Sequence, residues 1–272
     1  MLPSKVGYSL ASIVADITYL AWPRGRNNAR RNMLQVLGGE IGQSTVDRLA
    51  RQSLRNYCKY LVDFVLFPRL TREELEHRIH FRGWEKIETA YQEGKGVIFV
   101  TLHFGNWDLA AAAMVLHNYP LNVIVETFKF SKLNDLVVQA RRNWGMKTIP
   151  MEKAARKVVE VLRRSEMLAI LIDNPTIASE RGVAVDFFDC VTKVPAGAAT
   201  LALRTGAKVV TGGVVRLPDN TFVAIVDRCL DYQRSGNLEK DIEALTQRIM
   251  DSLENVVRQY PDQWYMFRRM WA

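Results

Sequence analysis

The stretch Val97-Ile98-Phe99-Val100-Thr101-Leu102-His103-Phe104-Gly105-Asn106-Trp107-Asp108 changes from apolar to polar in one step at His103. Five of the six residues before His103 are apolar, and the run is largely β-branched, the composition of a strand buried on both faces. Gly105 and Asn106 are turn formers, and the Ala/Leu/Met run from Leu109 to Leu116 is rich in helix formers. The order strand, turn, helix puts His103 at the carboxyl end of the strand and Asp108 in the first turn of the helix. Open α/β sheets carry their sites at such strand ends. An imidazole oriented by a carboxylate through one nitrogen is equipped to take a hydroxyl proton with the other. The same pair would also serve as a plain cap, with the carboxylate beside a helix N-terminus.

Outward from this stretch, strand and helix patterns alternate. Strands are expected at Gly96–Leu102, Leu121–Thr127, Met146–Ile149, Met167–Ile172, Val183–Phe187, Lys208–Val215 and Phe222–Val226. Helices are expected at Leu133–Arg142, Glu152–Ser165 and Ala196–Leu203, and a long one at Glu239–Gln259 stops before Pro261. Such alternation implies an α/β fold with a mixed central sheet flanked by helices. Residues 1–82 read as mostly helical, with amphipathic stretches at Asn27–Leu37 and Thr45–Phe67 and a break at Pro68. No Gly/Ser linker or internal repeat interrupts the chain, so residues 1–272 are expected to form a single domain: a helical N-terminal portion, 1–82, and an α/β core, 83–272.

Hydrophobic residues make up 48% and charged residues 24% of the chain, which excludes a disordered polar protein. Cys58, Cys190 and Cys229 have neither zinc-finger nor disulfide-framework spacing. The formal charge is +8, and the first sixty residues hold nine basic residues (Lys5, Arg24, Arg26, Arg30, Arg31, Arg48, Arg51, Arg55, Lys59) against Asp16, Glu40 and Asp47. This excess favours an anionic partner such as a lipid surface or an acidic protein. No nucleic-acid-binding motif accompanies it, so nucleic acid is not expected. Val6 to Trp22 is largely apolar but is interrupted by Asp16 and falls short of the ~20 apolar residues of a membrane span. It suits a helix lying in the membrane interface, and equally a core helix.

His103 and Asp108 form an HX4D motif. With it occur Ala29-Arg30-Arg31-Asn32-Met33, Arg141 four residues before Gly145, Leu171-Ile172-Asp173, Val185-Asp186-Phe187-Phe188, Val194-Pro195-Ala196-Gly197, and Tyr260-Pro261-Asp262-Gln263-Trp264 followed by Arg268-Arg269. In this order the blocks resemble the bacterial lipid A late acyltransferase family, within the wider HX4D glycerolipid-type acyltransferases. The sequence departs from the family in three places: Asp108 where many lipid A enzymes have glutamate, Asp189 where glycine usually follows the paired phenylalanines, and a shorter, more polar N-terminal segment.

The resemblance implies a glycerolipid-acyltransferase-like fold and an O-acyltransferase. Such an enzyme moves a fatty acyl group from an acyl carrier protein or coenzyme A thioester to a hydroxyl of a lipid A precursor, glycolipid or lysophospholipid. It implies no cofactor, and a peripheral or monotopic place at the cytoplasmic face of the bacterial inner membrane, against an anionic surface. In this reading His103 is the general base and Asp108 orients it. Arg141 is the candidate cation for a phosphate or developing oxyanion, with its neighbour Arg142 as the fallback, since a helix turns only one of them inward. Asp173 ends a buried strand, where an unpaired carboxylate is costly, and would orient Arg141 or cap the next turn. Asp186 and Asp189 flank the phenylalanine pair and would line an acceptor site, and Glu126 ends the second strand. Two other readings remain open: a non-enzymatic lipid-binding protein on the same fold, and a thioester or lipid hydrolase. No G-x-S-x-G elbow is present to support the latter.

Overall fold

The strand before His103 forms as Val97–Thr101 (β2), with all five residues buried. It lies in the middle of a seven-stranded sheet in a computed structural model that describes residues 4–39, 41–126, 130–174 and 182–271. Thr127, the last residue of the second expected strand, lies outside the described residues. Three helices come first: Ser4–Ala21 (α1), Pro23–Val36 (α2) and Gln43–Leu66 (α3). Then come Arg72–Arg78 (α4), Ile79–Arg82 (β1), Glu85–Gln92 (α5), β2, Trp107–Leu116 (α6), Leu121–Val125 (β3), Ser131–Asn143 (α7), Lys147–Pro150 (β4), Ala154–Arg163 (α8) and Met167–Leu171 (β5). The hairpin Gly182–Asp186 (β6) and Val191–Pro195 (β7), Gly197–Thr205 (α9), Lys208–Arg216 (β8), Phe222–Leu230 (β9) and Leu238–Gln259 (α10) complete the order.

The sheet order is β1-β9-β8-β2-β5-β3-β4. Strands β8, β2, β5, β3 and β4 run parallel; β9 is antiparallel to β8, and β1 is parallel to β9. This is the mixed sheet the alternation implies. Apolar clusters cover both faces. One joins Ile98, Val100 and Leu168 to α8, α9 and α10; the other joins Val97, Phe99 and Met167 to α6. Two elements add to the expectation. The N-terminal portion is mostly helical, as expected, and it ends in Ile79–Arg82, which pairs with β9 as an edge strand. The hairpin partner β7 carries no apolar alternation in its sequence, because Val191 is exposed and Thr192 is buried.

The N-terminal helices are fastened to the core by a buried polar cluster. Asp63 of α3 accepts from Tyr8 of α1, from Arg216 of β8 and from Asn106 in the turn after His103, the last at 2.9 Å. The Arg216 guanidinium also lies over the Tyr8 and Phe222 rings. A buried carboxylate is tolerated where cations and N–H donors surround it, as here.

Candidate active site

Strands β2 and β5 are adjacent and parallel, with Thr101 opposite Leu171. Each chain continues two residues past that pair to a polar side chain, so the register delivers His103 and Asp173 side by side. The His103 Nδ1 lies 2.7 Å from Asp173 Oδ1. The backbone N–H of His103 donates to Asp173 Oδ2 at 3.0 Å, and Trp264 Nε1 donates to the same oxygen at 2.9 Å. The Asp173 carboxylate is fully buried, whereas the His103 side chain keeps 37% of its surface exposed. With Nδ1–H directed at a carboxylate, Nε2 is left as the acceptor nitrogen.

Burial alone would lower the pKa of His103; the Asp173 charge and hydrogen bond outweigh it, Glu126 adds to them, Arg268 opposes them, and the net direction is up. Burial would raise Asp173, but the imidazole, the Trp264 indole and the His103 amide hold it below the usual carboxylate range. Glu126, from the end of β3, accepts from Asn174 just past Asp173 at 3.1 Å. Strand ends β2, β5 and β3 thus bring His103, Asp173 and Glu126 to one edge of the sheet.

The turn after His103 is tightly determined. Gly105 has φ +59°, and a Cβ there would stand 1.4 Å from the Val214 carbonyl oxygen, so no side chain fits. Asn106 caps α6, its Oδ1 accepting from Leu109 N at 3.1 Å. The C-terminal segment closes over the turn: Gly105 N donates to Gln263 O at 2.9 Å, and Tyr265 N donates to His103 O at 2.8 Å. Trp107 presents its ring edge-on to the imidazole, centroids 5.3 Å apart, and packs on Tyr60 at 4.2 Å.

Asp108 is not the carboxylate on His103. In the first turn of α6, it instead meets Arg141, whose Nε donates to Oδ1 at 2.7 Å, and Tyr60, whose OH donates to Oδ2 at 2.8 Å. Burial and the Asp108 charge push the Tyr60 phenol well above its ordinary pKa. Burial would lower the Arg141 pKa, but the Asp108 charge and hydrogen bond outweigh it, and the net direction is up. Arg141 is the inward member of its pair, as expected, but its guanidinium is engaged by Asp108 and 16% exposed. Arg142 faces outward and donates to the Thr148 hydroxyl at 3.1 Å. Asp173 pairs with His103 rather than with Arg141, and a turn following Asn174 lies outside the described residues. Asp189 sits on the hairpin tip, its side chain 90% exposed, with Arg258 of α10 at 3.5 Å. The backbone N–H and carbonyl of Asp186 are both held by the side-chain amide of Gln247. Phe187 and Phe188 are fully buried against Trp264 and Trp271. The sequence reading missed Trp264 as a donor to Asp173, Tyr60 as a partner of Asp108, and Arg268 as a charge acting on His103.

The model of the family described as bacterial lipid A biosynthesis acyltransferase matches residues 1–272. A phosphatidylinositol mannoside acyltransferase of Mycolicibacterium smegmatis is 27% identical over 259 residues, 94% of this chain and 83% of its own length. That of Mycobacterium tuberculosis (strain ATCC 25618 / H37Rv) is 26% identical over 263 residues, 93% of this chain and 79% of its own. A lipid A biosynthesis acyltransferase of Haemophilus influenzae is 24% identical over 196 residues, 71% of this chain and 59% of its own.

Proposed function

The chain belongs to the bacterial lipid A biosynthesis acyltransferase family and is an acyltransferase, and from that premise we propose that it transfers a fatty acyl group from a thioester to a glycolipid hydroxyl, with His103 as general base and Asp173 as its orienting carboxylate. The observation that carries this reading is the His103–Asp173 contact of 2.7 Å, with the carboxylate buried and the imidazole partly open. Nε2 takes the proton of the acceptor hydroxyl as its oxygen attacks the thioester carbonyl. The tetrahedral oxyanion collapses, the C–S bond breaks, and the imidazolium returns the proton to the departing sulfur. The Asp173 charge stabilises the imidazolium between those two events. Arg268, whose charge acts on the imidazole, opposes its protonation and so favours the neutral base. Asp108 and Arg141 act through structure in this reading, holding α6 to α3 and α7.

In this proposal the enzyme works at an anionic membrane surface, at the cytoplasmic face of the bacterial inner membrane. Leu10, Ile13, Val14, Ile17 and Leu20 form an exposed apolar row on α1, Leu20 being 71% exposed. The opposite face, Tyr8, Ala11, Ala15 and Tyr19, is buried. Among the described residues no helix is long and apolar enough to cross a membrane. The row therefore suits a helix lying in the interface.

The test is transfer of a labelled acyl group, from acyl carrier protein and from coenzyme A in separate reactions, to a mannosylated or lipid A-type glycolipid. The wild-type protein yields acylated glycolipid, and His103→Ala lowers the rate by at least ~10²-fold, the scale of a lost general base. Free fatty acid as the sole product in the presence of acceptor assigns a hydrolase. Full activity of His103→Ala removes the reading.

A further inference from the structure

The basic excess of the first sixty residues is concentrated at one place. An open cavity of about 470 Å³ lies where the end of α1, α2 and the first half of α3 meet, and five guanidinium groups line it: Arg26, Arg30, Arg48, Arg51 and Arg55. Two carboxylates answer them. Asp16 accepts from Arg51 and from Arg55, each at 2.6 Å, which holds it well below the usual carboxylate range. Asp47 pairs with Arg30 at 2.5 Å. Five positive against two negative charges leave an excess of three. The buried Nε of Arg26 has no acceptor among the described residues. None of these side chains belongs to the site around His103.

One wall of the cavity is apolar. Leu20 lines it and is also the last member of the exposed row on α1. A cationic cavity at the end of an apolar ridge matches an amphiphile with an anionic head. Phosphate oxygens accept the paired N–H groups of guanidinium, and acyl chains lie along the ridge. An acidic carrier protein would match the charge but would leave the ridge uncovered.

We propose that the arginine cavity binds the phosphate head group of an anionic membrane lipid, as a site separate from the acceptor site at His103. The proposal rests on the membrane placement above and adds to it a defined anchor. A bound phosphate there fixes α1 in the interface at its C-terminal end.

The test is co-sedimentation of the full chain with vesicles of phosphatidylcholine alone or mixed with phosphatidylglycerol. Arg26→Gln/Arg48→Gln is the informative variant, because neither residue holds Asp16 or Asp47. It weakens binding to the mixed vesicles about tenfold or more, the effect of removing two cations from an anionic surface, and leaves binding to phosphatidylcholine unchanged. Arg26→Lys/Arg48→Lys restores most of the loss. Ile17→Ser/Leu20→Ser weakens binding to both vesicles. Wild-type binding of the mixed vesicles by the glutamine variant overturns the cavity while leaving the membrane placement standing. The same result with transfer from acyl carrier protein selectively lost assigns the cavity to the carrier protein. A wild-type chain that sediments with neither vesicle overturns both.

Discussion

At His103 two opposed effects set the chemistry. Burial favours the neutral imidazole, the Asp173 charge favours the cation, and the charge wins, so the pKa is raised above its usual 6.5. A general base must be neutral, so kcat/KM rises with pH through a value above 6.5 and levels off beyond it. In Asp173→Asn the carboxylate is gone while burial and Arg268 remain, so the limb moves to lower pH and the plateau falls. A pH–rate profile of both proteins measures this; an unmoved limb would sink the pairing. The same contact ties stability to pH. The depressed Asp173 pKa contributes stability above its unfolded value of about 3.8, lost as pH falls through the folded one. The raised His103 pKa contributes stability below 6.5, lost as pH rises through its folded value. Sequence made His103 legible because a polar residue ends an apolar run. The partner was not legible, because Asp108 and Asp173 both lie near strand ends and only the order of strands chooses between them. Asp173 carried its own signal, an unpaired carboxylate ending a buried strand, but β2–β5 adjacency is a property of the sheet.

Among the elements, the contact of α6, α3 and α7 is where the HX4D aspartate acts. Arg141→Ala leaves the buried Asp108 carboxylate with Tyr60 as its remaining side-chain partner, and an uncompensated buried charge costs about 3–5 kcal/mol. Tyr60→Phe removes one hydrogen bond to a charged group, about 1.5–3 kcal/mol. Urea unfolding followed by tryptophan fluorescence gives both values. Asp108→Asn lowers stability in the same way yet keeps the acidic limb of the pH profile where the wild type has it. A limb shifted in Asp108→Asn would return Asp108 to the imidazole. The elements with long periodic patterns, α3 and α10, and the buried strands β2 and β5 were all legible within a few residues. Those missed are short. Ile79–Arg82 gains its identity only from pairing with β9, a tertiary effect. Helix α4 did announce itself, through the Thr71–Glu74 capping box, which a reading centred on apolar periodicity passes over.

Across the whole molecule, the C-terminal segment joins parts distant in sequence. Gln263 pairs with both backbone groups of Arg216, Tyr265 N holds the His103 carbonyl, and the Ser53 hydroxyl of α3 donates to Trp264 O at 2.9 Å. Trp264 packs among Phe187, Phe188 and Trp271 while its indole N–H reaches Asp173. One residue therefore serves the core and the site, and two substitutions separate the roles. Trp264→Phe keeps an aromatic ring in the cluster and deletes the N–H. Asp173 loses a donor, its pKa rises toward the ordinary range, and the acid-side loss of stability begins at higher pH than in the wild type. Trp264→Ala also opens a cavity among three aromatic rings, a loss of about 3–5 kcal/mol. Against a total stability of order 5–15 kcal/mol, that is enough to unfold a large fraction of the chain near its growth temperature. Thermal melts across a pH series distinguish them: a large drop in Tm at every pH that widens further toward acid for Trp264→Ala, and a drop confined to the acid side for Trp264→Phe. If Trp264→Phe melts like the wild type at every pH, the indole does not support Asp173, and the C-terminal segment serves the fold alone.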